Sequence, residues 1–182
     1  MGVLPPTGVV ETATTVVFVV VMGVSAASDL RSRRIPNWLT AGGLAAGLLL
    51  RGITGLGPLL DGLAGAGLAL AIGLLLFVLG GFGGGDAKLL IVVGAFLGFE
   101  PTVGALLLIG VLGGLLGIFE AVRRRAILPA AYNAAGMMRR WVTFGRKGEG
   151  RTLESPGAVA VPYGLAIATG AVVWWFWGVP VL

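Results

Sequence analysis

Six apolar runs, each closed by glycine, proline or charge, leave this chain few folds to choose from. They cover residues 13–27, 38–50, 59–79, 87–99, 102–119 and 158–179. With 57% hydrophobic and 12% charged residues, the composition is that of an integral membrane protein. Lipid cannot satisfy a backbone N–H or C=O, so apolar runs of this length must be helices. The expected fold is all-α: a polytopic bundle of six transmembrane helices forming one membrane-embedded domain over residues 1–182. The 33 glycines fit this reading, since small residues let helices approach closely in lipid. Pairs four apart recur at Gly43/Gly47, Gly65/Ala69/Gly73, Gly110/Gly114 and Gly113/Gly117.

Two runs are short. The second and fourth offer about 13 apolar residues each, roughly 20 Å of helix, whereas a bilayer core of about 30 Å needs roughly 20 residues. The second is expected to lengthen through Arg51, its side chain snorkelling to the interface. Both follow an aspartate motif, and a locally thinned bilayer would let water reach those carboxylates.

Charge sorts the loops. Arg31, Arg33, Arg34, Lys88, Arg123, Arg124, Arg125, Arg139, Arg140, Arg146, Lys147 and Arg151 all fall on one side, leaving Arg51 alone on the other. The positive-inside rule makes the rich side cytosolic and both termini extracytoplasmic. The net charge of +5 is therefore topological, aimed at anionic lipid headgroups and not at nucleic acid. No cleavable signal peptide is expected, because Met1 to Thr15 lack a basic start. A basic cytosolic loop is expected over about 120–157, in which 130–140 can form a short interfacial helix.

Histidine and cysteine are absent. That excludes a thiol nucleophile, a Ser-His-Asp triad, a zinc site of the usual kind and haem ligation through these residues. No metal and no cofactor is expected. Hydrolytic chemistry would have to run on carboxylates, lysine or hydroxyls.

Two carboxylates stand where such chemistry would need them. Asp29 ends the first apolar run and precedes Ile35-Pro36-Asn37; Asp86 closes Gly83-Gly84-Gly85-Asp86 and opens the fourth run. Topology puts both at the cytosolic face. A carboxylate at a bilayer is costly and asks for a functional reason. Pro36 ends the turn, Asn37 is placed to cap the next helix, and the glycines permit tight backbone approach. Singly, each aspartate has a bland alternative: Asp86 as a helix cap, Asp29 paired with Arg31 or Arg33. Lys88 reads either as an anchor for lipid phosphate or as a cation beside Asp86.

Asp29 with its Ile35-Pro36-Asn37, and Gly83-Gly84-Gly85-Asp86-Ala87-Lys88-Leu89-Leu90, resemble the two signature motifs of type IV prepilin peptidases, aspartic proteases of the bacterial cytoplasmic membrane. Val161-Pro162-Tyr163-Gly164 is similar to a further stretch of that family, less specifically. The resemblance implies removal of the basic leader from prepilin-like substrates at the cytosolic face, with Asp29 and Asp86 as the catalytic pair. Gly83, Gly85, Lys88, Pro36 and Asn37 would shape the site. The long form's N-terminal region with paired cysteines has no counterpart here, so methyl transfer is not expected; the chain is more similar to the short form serving tight-adherence (Flp-type) pili. Oligomeric state is left open, a homo-oligomer included. The competing readings are a non-catalytic scaffold of a pilus or secretion assembly and, more remotely, a presenilin-type protease or an archaeal preflagellin peptidase.

Overall fold

The computed structural model describes residues 8–78, 82–125, 135 and 162–178. Among them the secondary structure is all-helical: α1 (Val9–Ser32), α2 (Asn37–Thr54), α3 (Leu56–Val78), α4 (Gly84–Leu97), α5 (Phe99–Arg123) and α6 (Tyr163–Trp177). Three of these, α1, α3 and α5, are long and apolar enough to cross a membrane. The interfacial helix expected over 130–140 falls outside the described residues except for Ala135, and residues 158–161 of the last run fall outside them too.

The helices form a ring with a core. α1 packs on α2, α2 on α3, α3 on α5, α5 on α6 and α6 back on α1, while α4 touches all five. This accounts for the shortness of α4. At 14 residues it is about 21 Å long, and Leu89, Leu90 and every residue from Val92 to Leu97 are buried. Its sequence carries no amphipathic stripe because no side of it faces outward. The ring is the reverse of a soluble bundle: Leu63, Leu70 and Leu74 of α3 and Leu107, Val111 and Leu115 of α5 are exposed, as a lipid-facing surface requires.

Glycine makes room for the core helix. A Cβ built on Gly65 would collide with the Gly94 carbonyl oxygen, and one on Gly94 with that of Gly65, so α3 and α4 touch backbone to backbone. Gly73 lies over Ala87, while Gly43 and Gly47 of α2 receive Val92 and Phe96. Gly110 and Gly114, also four apart, have nothing within 4 Å of an added Cβ. Their spacing was expected to mark a contact; on a helix with one face to lipid it marks only an outward strip. Phe18, Phe96 and Trp175 close the centre, with ring centroids 5.2 and 4.6 Å from Phe18.

The second helix differs from its expectation in length and in cause. α2 spans 18 residues, and Arg51 does not snorkel. Its guanidinium donates to Pro58 O (2.7 Å) and Phe96 O (2.8 Å) and pairs with Asp61, whose other oxygen accepts from the Phe99 N–H (3.0 Å). The ends of α2, α3, α4 and α5 are thereby knotted together. Gly98 turns α4 into α5 at φ +84°, a left-handed conformation suited to glycine.

Filling the α3–α4 contact tests its weight. Gly94→Ala should lower stability by about 1–3 kcal/mol through overpacking, and Gly110→Ala should stay within about 0.5 kcal/mol. Thermal unfolding in detergent would measure both.

Candidate active site

Asp29 points inward because of where it falls on α1. Phe18, Met22, Ser25 and Asp29 recur every three or four residues and are all buried, one stripe of a 3.6-residue helix. Ser25 satisfies its hydroxyl on Val21 O at 2.7 Å, leaving Asp29 as the acidic group of the stripe. One turn later the helix stops. Arg33 adopts φ +52° and donates its N–H to Asp29 O at 2.9 Å, and Ser28 Oγ pins the turn by donating to Arg34 O at 2.7 Å. Asp29 is thus carried to the bundle's end yet remains 6% exposed.

Asp86 stands in the first turn of α4, where its Oδ2 accepts from the Gly83 N–H at 3.1 Å. Within the helix this is the capping role considered as its bland alternative, and it does not conflict with a second one. The charge of Asp29 acts on Asp86, so the carboxylates from the two motifs share one electrostatic neighbourhood. Arg33 acts on Asp29 through space, without an ion pair between them among the described residues.

The surrounding residues bind the two motifs together. A Cβ on Gly85 would sit 3.4 Å from Ile35 Cβ, so the glycine run lies against the buried isoleucine of Ile35-Pro36-Asn37. Pro36, in extended geometry at φ −62°, is the N-cap of α2. Asn37 therefore does not cap: it is the first helical residue, and its Oδ1 accepts from Lys88 Nζ at 2.8 Å. Lys88 thus bridges α4 to α2.

A third segment reaches the site from α6. Leu165 N–H donates to Asp29 Oδ2 at 3.3 Å, and Gly164 lies against that carboxylate, an added Cβ there falling 2.9 Å from its Cγ and Oδ2. Tyr163 lies in the field of Asp86, packs against Phe82 with the rings tilted by 46° (centroids 4.9 Å apart) and rests on Gly113, where a Cβ would fall 2.6 Å from its ring. Sequence reasoning noted the Pro-Tyr-Gly stretch without a role. The signal was present: a proline and a glycine opening an apolar helix at the same face as the aspartates. Among the described residues no group of three or more Asp, Glu, His or Cys assembles that could hold a metal ion.

The fold is that of a helical membrane protein, and both aspartate motifs lie where its helices begin or end. The chain belongs to the type IV leader peptidase family, whose pattern its residues 16–118 match, and it is accordingly a peptidase. A comparison with curated proteins and one with solved structures each give no match.

The Lys88–Asn37 bond gives a direct test of how the motifs are joined. Lys88→Ala and Asn37→Ala should each cost about 1 kcal/mol, and the double variant should cost little more than either alone. A double-mutant cycle on unfolding in detergent reads the coupling.

Proposed function

We propose that this peptidase is of the aspartic type, with Asp29 and Asp86 as its catalytic dyad. The observation that supports the reading is the packing of one motif on the other, with Gly85, next to Asp86, lying against Ile35, six residues after Asp29, inside a ring of apolar helices. Were the two carboxylates to meet at about 4 Å, they would repel by about 4 kcal/mol at an effective dielectric near 20, or roughly three pK units. They would therefore share one proton at neutral pH and titrate as a pair. The charged member takes a proton from water as its oxygen attacks the scissile carbonyl; the protonated member hydrogen-bonds the developing oxyanion.

The substrate class is the family's: prepilin-like proteins, here of the Flp type, cut between a basic leader and an apolar helix. The chain acts as one multi-pass domain in the bacterial cytoplasmic membrane, with six spans, outward termini and the dyad on the cytosolic side. Water reaches the dyad from the end of α4, a core helix of 14 residues that need not span the bilayer. Gly83, Gly85, Pro36, Asn37 and Lys88 shape the site. Leader recognition rests on the substrate's apolar helix packing among these helices, since its basic leader meets a basic face. That repulsion is softened where Glu120 takes up Arg123 (2.8 and 2.7 Å) and Arg124 (2.6 Å) at the end of α5.

Asp29→Asn and Asp86→Asn should each lower leader removal by about 10²–10⁴-fold while the protein still inserts and melts like wild type. Co-expression with Flp-type prepilins, read as leader loss by mass, checks this. Cleavage retained in either variant would reject the dyad, whereas no cleavage of any prepilin by the wild type would favour a scaffold. The wild-type pH–rate profile should be bell-shaped, falling where both carboxyls are protonated and where both are charged.

A further inference from the structure

The two aspartates are held by different parts of the fold. Asp86 is fastened within its own helix start, by one N–H from Gly83. Asp29 is fastened across the chain, by the amide of Leu165, the third residue of α6. First-turn amides of a helix are available to outside acceptors, and the helix dipole places partial positive charge among them. Leu165 N–H divides itself between Asp29 Oδ2 at 3.3 Å and Pro162 O at 3.2 Å.

Gly164 is the condition for this approach. A Cβ there would lie 2.9 Å from Asp29 Cγ and Oδ2, closer than real Cβ atoms come. Among the described residues, the charged and titratable groups around Asp29 are Arg33 on its own helix and Asp86 on α4. Tyr163, on α6, lies in the field of Asp86, and Lys88 of α4 is engaged with Asn37 of α2. The Leu165 amide, the start of α6 and Arg33 thus work against the burial of Asp29 and favour its charge. Asp86 has one amide and the start of its own helix.

We infer that Gly164 is a positioning residue: by admitting the first turn of α6 to Asp29, it keeps the dyad's negative charge there and leaves the shared proton on Asp86. The inference rests on the dyad proposed above and divides its roles. Asp29 takes a proton from the attacking water while the water oxygen bonds to the carbonyl carbon. Asp86 gives its proton to the carbonyl oxygen, forming a gem-diol. On collapse the C–N bond breaks, the leaving nitrogen takes the proton from Asp29, and one diol hydroxyl returns its proton to Asp86.

Full-length Gly164→Ala, assayed against a prepilin-like peptide in lipid, is the test, with Gly23→Ala as control because an added Cβ there meets nothing within 4 Å. Gly164→Ala should lower kcat about tenfold or more with KM little changed. The acid limb of its kcat–pH profile should move up by about one pH unit, because a carboxylate that loses amide donors needs a higher pH to ionise. Leu165→Pro, which deletes the donor without adding bulk at 164, should shift the limb likewise and serves if the alanine variant does not fold. A wild-type acid limb in either variant, in protein that melts as wild type does, would overturn the proposal; so would a loss equal at every pH, the mark of a merely structural role. Failure of the dyad itself reads differently, as cleavage retained by Asp29→Asn or Asp86→Asn.

Discussion

The backbone contact between α3 and α4 at Gly65 and Gly94 is the constraint from which the rest of the bundle follows. A helix encircled by five others must be thin on its most crowded side, and no side chain is thinner than glycine's. In lipid there is no hydrophobic force to press helices together, so close packing supplies the attraction that water supplies elsewhere. With α3 drawn in, the remaining four helices complete the ring and α4 has no lipid face. A core helix need not match the bilayer's thickness, and this one, at 14 residues, stops short of it with Asp86 in its first turn.

The other end of α4 is held as firmly, by polar means. Arg51 reaches the Phe96 carbonyl, one of the last-turn acceptors that a helix leaves unsatisfied, and Asp61 collects the first amide of α5. A partly buried ion pair is a weak source of net stability, but removing one partner strands the other. Its value here is geometric. Four helix ends meet at one guanidinium and one carboxylate, which sets the height of α4 in the ring and hence the depth of Asp86 at the opposite end.

Hydropathy revealed the helices and charge grouped the aspartates, but neither could say which helix goes inside. That choice depends on which glycines face which, and spacing alone treated Gly65/Ala69/Gly73, a true contact, and Gly110/Gly114, an outward strip, as equals. Arg51 misled for a related reason: a lone cation at a helix end reads as a snorkelling anchor unless Asp61, ten residues on, is seen to fold back to it. Asn37 misled because capping is local and its actual partner, Lys88, is 51 residues away. The inward stripe of α1 was nearly readable, since Ser25 and Asp29 stand four apart on one face, in line with Phe18 and Met22.

A chain without histidine or cysteine must manage its carboxylates with few side chains, and here the backbone does much of that work. Asp29 sits in the last turn of α1 and Asp86 in the first turn of α4; Gly164 and Leu165 open α6. Helix starts leave amide donors unspent, so bringing several helix ends to one spot provides hydrogen bonds to carboxylates at no expense in side chains. It also accounts for the glycines that cluster there. Gly83 and Gly164 both lie within reach of a carboxylate oxygen, where a side chain would push the amide away from the group it serves. Amide donors neither titrate nor oxidise, so the charge on these carboxylates would depend on how the helices meet and little on the pH of anything but the carboxyls themselves.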